Sequence, residues 1–141
     1  MILQSISRCM CCIIVPCSEN GQIQTNDDSL SEPVDGIPQV FYNDYGWTKM
    51  ANMLYLESPK GVGFSYCDDA QTEADCVNTD QSTALDAYDF LVNWFALYPE
   101  YQSHKFYITG ESYAGIYIPM LMQQIDLNPL GAPQMNLVGA A

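Results

Sequence analysis

The sequence predicts an α/β fold, a parallel sheet with flanking helices, from three stretches of the chain. Residues Met53–Leu56 are apolar without alternation, as in a strand covered on both faces. Asp80–Tyr98 repeats its apolar residues at helical spacing. Lys105–Gly115, KFYITGESYAG, passes from β-formers through Gly110 to Ser112 and then into small residues, a strand-to-helix elbow. In chain order these give strand, helix, strand, elbow, helix and strand, a βαβαβ order that implies parallel strands and right-handed crossovers.

The chain of 141 residues can carry one domain with a substantial core, since a chain of this size buries about 70% of its unfolded surface. Its seventeen acids against four bases give a net charge of −13, which repels nucleic acid and anionic lipid. That charge suits solubility or an acidic compartment. No stretch reaches the ~18 apolar residues a membrane-spanning helix requires.

Residues 1–44 read as a divergent, largely irregular segment. Arg8 precedes the short apolar run Cys9–Val15, which only weakly resembles a secretory signal. Residues 18–37 are polar, acidic and rich in turn formers, the composition of a loop, and Val40–Tyr42 suggests a brief edge strand. Cys9, Cys11, Cys12 and Cys17 lack paired C-x2-C spacing and a nearby histidine, so no metal site is assigned. Residues 45–141 hold the ordered core. Asn52–Leu56 is its first strand, and Pro59, Gly61 and Gly63 form a rigid turn without a phosphate-binding pattern. Cys67 and Cys76 flank the acidic loop CDDAQTEADC and look like a disulfide staple, which points to a secretory route.

The helix Asp80–Tyr98 is expected to be capped by Asp80 and to bury Ala84, Leu85, Tyr88, Leu91, Val92 and Phe95, with Asp86, Asp89 and Asn93 on the wet side. Strand Lys105–Thr109 follows, then a helical stretch from about Tyr113 to Ile125, where Pro119 predicts a kink or restart. Asn136–Val138 begins a further strand.

The chemistry concentrates at the elbow. G-x-S-x-A-G is a variant of the G-x-S-x-G turn that pushes a serine hydroxyl out beyond a strand end. In parallel sheets ligands bind beyond the carboxyl ends of the strands, where Ser112 falls. The single histidine, His104, precedes the strand that delivers Ser112, so about five residues at ~3.3 Å each separate it from the elbow by ~16 Å. That excludes it as a base, which must come within about 3 Å of the hydroxyl.

Several segments together resemble the serine carboxypeptidases, acid-active α/β-hydrolases. They are WTKMANMLYLESPKGVGFSY from Trp47 to Tyr66, NTDQSTA from Asn78 to Ala84, FYITGESYAG from Phe106 to Gly115, and Tyr117–Pro119. The resemblance implies a partial α/β-hydrolase core over residues 45–141. It implies that Ser112 is an acylated nucleophile and that the Tyr113 amide is one oxyanion donor. Glu111 matches the glutamate that binds the substrate's terminal carboxylate, and Glu19, in Glu19-Asn20-Gly21, is a candidate second one. Two carboxyl groups share such a contact when one is protonated, as at acidic pH. The resemblance further implies peptide or protein C-termini as substrate, no cofactor, and a secretory, lysosomal, vacuolar or extracellular location.

The family's glycine-rich oxyanion segment is absent, Pro16-Cys17-Ser18 being at most a remnant, and after Ser112 come one acid, Asp126, and no histidine. The chain therefore reads as an internal piece of a larger enzyme, inactive or nearly so alone. An acyltransferase of the same fold and a non-catalytic binding protein are the alternatives.

Overall fold

The computed structural model describes residues 10–14, 20–24, 28–31, 34–37, 39–67, 76–132 and 135–141. Its main sheet is built from β1 (Met10–Ile14), β4 (Asn52–Tyr55), β5 (Phe106–Gly110) and β6 (Leu137–Ala140). The order across the sheet is β4-β1-β5-β6 and every pairing is parallel. Met10 stands opposite Asn52 on one side and opposite Phe106 on the other. The sheet thus takes an inner strand from the segment read as largely irregular. A strand flanked on both sides in a parallel sheet is a continuous apolar run, and Cys9–Val15 is such a run.

The rest of that segment adds short pieces. β2 (Ile23–Gln24) pairs antiparallel with β3 (Phe41–Tyr42), which lies within the expected Val40–Tyr42 strand, and α1 (Asp28–Ser31) is a single turn.

The helix α2 spans Asp80–Leu97. Its cap is Thr79 rather than Asp80: the Thr79 hydroxyl accepts from the Ser82 amide at 3.1 Å, and the Ser82 hydroxyl accepts from the Thr79 amide at 2.9 Å. This reciprocal box leaves Asp80 as the first helical residue. Ala84, Ala87, Tyr88, Leu91, Trp94 and Phe95 are buried, while Asp86, Asp89 and Asn93 are exposed. Leu85 is exposed, not buried as its hydrophobicity suggests, because one step of about 100° carries it off the Ala84–Leu91 stripe.

After β5 comes α3 (Ala114–Leu127), one helix that contains Pro119, so of the expected kink or restart there is no restart. Proline there removes the bond to the Gly115 carbonyl, and both residues lie on the exposed side, where water can satisfy that group. The helix ends at Asn128, in the left-handed region at φ +45°.

Helices α2 and α3 share one face of the sheet. Leu54, Phe106 and Ile108 form a single core with Leu91, Trp94, Phe95, Ile118 and Leu121, and the Phe95 and Phe106 rings meet edge-on at 5.5 Å. Phe106 and Ile108 are fully buried; complete burial of such side chains stabilises by about 1.5–3 kcal/mol each. Tyr107, between them, points to the other face and packs with Met53. This packing fixes the ends of β5 and α3, between which the elbow lies.

Candidate active site

Strand β5 ends at Gly110, and the chain reverses through Glu111, Ser112 and Tyr113 into α3. The Ala114 amide donates to the Glu111 carbonyl at 3.0 Å, and the Gly115 amide to the Ser112 carbonyl at 3.1 Å. Ser112 holds φ +55°, a left-handed conformation that costs a residue with a Cβ about 1–2 kcal/mol. Such strain survives only where the surroundings impose it. Here they do. A Cβ at Gly110 would lie 2.4 Å from the Ala114 Cβ and 3.1 Å from Ile118 Cδ1, so helix and strand meet too closely for any other residue. Gly115 carries no such demand, since a Cβ there meets nothing within 4 Å. The side chains of Glu111, Ser112 and Tyr113 are all exposed.

The Tyr113 amide is among the donors that a helix start leaves without an intrahelical acceptor, at the positive end of fourteen residues of α3. At the other end of the same residue, the phenol donates to the Asp80 carboxylate, 3.1 Å from Oδ1 and 3.3 Å from Oδ2. That carboxylate holds the Tyr113 phenol above its ordinary pKa, because ionisation would break the bond and set two negative charges together. The ring also meets Tyr117 edge-on at 5.0 Å.

The turn after β4 lies at the same end of the sheet. One strand separates β4 from β5, which sets them about 10 Å apart. Gly63, at φ +58°, lies against Glu57, whose carboxylate accepts from the Phe64 amide at 2.8 Å. Gly61, at φ +82°, lies against Cys76, which forms a disulfide with Cys67. Asn78 Nδ2 donates to the Lys60 carbonyl at 2.8 Å, and Lys60 Nζ pairs with Asp86 of α2 at 3.1 Å. The turn is thereby tied to the loop that enters α2.

Glu19 lies outside the described residues. Its neighbour Asn20 accepts from the Tyr55 hydroxyl at 3.0 Å, at the carboxyl end of β4, and Gly21 accepts from Asn43 Nδ2 at 3.0 Å. Cys9 and Cys17 also lie outside the described residues, and Cys11 and Cys12 lie in β1, described by its backbone pairing alone. Among the described residues no group of histidine, cysteine, aspartate or glutamate is arranged to hold a metal ion, and no helix is long and apolar enough to cross a membrane.

Two residues stay away from Ser112. His104 precedes β5, half-buried with its ring 5.5 Å from that of Tyr101. Asp126 is in the last turn of α3, about 18 Å along the helix from its start at 1.5 Å per residue. The contact of Asp80 with Tyr113 has no sequence signature, since the two stand 33 residues apart on separate elements.

The profile of the serine carboxypeptidase family matches residues 12–141. Serine carboxypeptidase-like 20 of Arabidopsis thaliana is 42% identical over 112 residues, covering 78% of this chain and 22% of that protein. Serine carboxypeptidase 1 of Hordeum vulgare is 46% identical over 108 residues, covering 75% of this chain and 21% of that protein. The chain thus spans about a fifth of the length of these curated relatives. Among solved structures, Kex1, a prohormone-processing carboxypeptidase from Saccharomyces cerevisiae, superposes with a TM-score of 0.70 at 21% identity, over 94% of this chain and 29% of that one. At that identity the likeness speaks to the fold.

Proposed function

The chain belongs to the serine carboxypeptidase family and has part of the α/β-hydrolase core; from that premise we propose that Ser112 is the nucleophile of a serine-type carboxypeptidase. The observation that carries the reading is the left-handed Ser112 at the carboxyl end of β5, followed at once by the amide-bearing start of α3.

In the proposed reaction the Ser112 hydroxyl oxygen attacks the carbonyl carbon of a C-terminal peptide bond, and its proton passes to a base. The carbonyl oxygen becomes an oxyanion that accepts from the Tyr113 amide, in a field already made positive by α3. The carbon–nitrogen bond then breaks, the amine leaves with a proton, and an acyl ester remains on Ser112. Water releases the acid. Glu111, exposed beside the nucleophile, is proposed to share a proton with the substrate's terminal carboxylate, with Glu19 as the second carboxyl of that contact. The substrates would be peptide or protein C-termini. The disulfide Cys67–Cys76 supports a secretory, lysosomal, vacuolar or extracellular setting.

Among the described residues no histidine lies beside Ser112, since His104, the one histidine of the sequence, is at the far end of β5. That observation favours a second reading for the chain by itself, a binding protein with little or no turnover. An oxyanion site without a base retains only a small share of a complete triad's rate enhancement.

Prolonged exposure to a fluorophosphonate, followed by intact-mass and peptide mass spectrometry, tests the assignment. A slow adduct on Ser112, lost in Ser112→Ala, is expected. No adduct, or the same adduct in Ser112→Ala, would overturn the nucleophile. Rapid stoichiometric labelling would instead overturn the expectation of near-inactivity.

A further inference from the structure

The bond between Tyr113 and Asp80 joins two elements at the point where the chemistry is proposed. Asp80 is the first residue of α2, in a turn held by the Thr79–Ser82 box. Tyr113 is peptide-linked to Ser112 and half exposed, with an edge contact to Tyr117 and the paired hydrogen bonds to Asp80 as its described side-chain contacts. We propose that Asp80 is a positioning residue, which grips Tyr113 by its hydroxyl and so holds the Tyr113 amide toward the developing oxyanion.

Ser112 could relieve its left-handed conformation by rotating the peptide that joins it to Tyr113, which would turn the Tyr113 amide away from the site. The core fixes Gly110 on one side and Ala114 on the other, but the exposed residues between them have little packing. A phenol tethered at its tip resists that rotation, and a carboxylate acceptor makes the tether a charge-assisted bond. The acceptor sits on a capped helix that packs directly against α3, so both ends of the tether belong to one packed unit. The phenol, held above its ordinary pKa, remains the donor throughout the neutral and acidic range. Asp80 acts through Tyr113 and not on substrate or Ser112 directly.

The proposal rests on Ser112 as the nucleophile, and the test separates the two. In the 141-residue chain, the rate of fluorophosphonate adduct formation on Ser112 should fall about fivefold in Asp80→Ala and similarly in Tyr113→Phe, with no further fall in the double variant. Asp80→Asn keeps an acceptor oxygen and should stay within about twofold of wild type, which a purely electrostatic role would not produce. Ring-carbon NMR of labelled tyrosine should show Tyr113 titrating above its ordinary value in wild type and lower in both Asp80 variants. Equal labelling of Asp80→Ala and wild type, an equal fall in Asp80→Asn and Asp80→Ala, or an ordinary Tyr113 titration in wild type would overturn the proposal. If wild type gives no Ser112 adduct, the nucleophile reading falls, and the backbone amide resonances of Ser112 and Tyr113 decide for Asp80. Larger displacement in Asp80→Ala than in Asp80→Asn supports it, and equal displacement refutes it.

Discussion

Replacing Gly110 by alanine adds one methyl group at the tightest approach between strand and helix. The new Cβ would start 2.4 Å from the Ala114 Cβ, where carbon atoms pack best at about 3.5–4.0 Å. The Ala114 methyl cannot rotate away, because it is fixed to the backbone at the first residue of α3. Either α3 or the end of β5 must therefore shift by about 1 Å. Overpacking of this kind costs about 1–3 kcal/mol, offset by about 0.5–1 kcal/mol because alanine loses less conformational freedom on folding than glycine. The net expectation is a loss of about 1–2 kcal/mol, or roughly 3–7 °C in Tm for a chain of this size. Urea unfolding followed by the fluorescence of the buried Trp94 measures it. The double variant Gly110→Ala, Ala114→Gly removes the 2.4 Å partner and leaves the Ile118 Cδ1 at 3.1 Å, the movable tip of a side chain, so most of the loss should return. A single variant within about 0.3 kcal/mol of wild type, or a double variant no better than the single, would refute steric closure as the reason for glycine.

Ser112→Gly should abolish any adduct yet leave stability unchanged or higher by up to about 1 kcal/mol, because the relief of a left-handed Cβ exceeds the added chain entropy; a loss above about 1 kcal/mol would show that Ser112 is not strained. Thr79→Ala removes the capping box and should cost about 1 kcal/mol in urea unfolding, whereas Asp80→Asn, at the first helical position, should cost less; the reverse order would contradict the assignment of the cap. For pH, the raised pKa of the Tyr113 phenol means that the folded chain keeps a proton that the unfolded chain releases. Its contribution is complete below the ordinary tyrosine value of about 10 and is lost as pH rises through the higher folded value. Wild type should therefore lose stability more steeply than Tyr113→Phe above about pH 10, and parallel profiles in thermal melts would refute the coupling.

Much of the fold is legible in the sequence because the relevant signals are local. The runs at Met53 and Phe106, the stripe from Ala84 to Phe95 and the break at Gly110 each state a period or a turn. What is illegible depends on partners distant in sequence. Cys9–Val15 only weakly resembles a secretory signal in the sequence, and only the pairing of Met10–Ile14 with β4 and β5 reveals a strand there. Strand order is likewise hidden: β4 and β5 are consecutive in the βαβ unit, yet β1 lies between them. At the site, the serine and its glycine are visible as a motif, while the tether from Tyr113 to Asp80 is not. Asp80 reads naturally as a cap because it begins a helix, but Thr79 outcompetes it through a serine at the third helical position, where the usual signature is glutamate or glutamine.

The place of β1 also bears on how the chain is made. It leaves the ribosome before both of its neighbours, Asn52–Tyr55 and Phe106–Gly110. At about 5–20 residues per second, β1 waits roughly 5–20 seconds between its own synthesis and that of β5. Throughout that interval an apolar strand has at least one open edge, available to other nascent chains. Sheets closed by such distant pairings also fold slowly once complete. A chaperone that occupies the first twenty residues until Gly110 emerges would therefore change the yield of this protein without touching its stability.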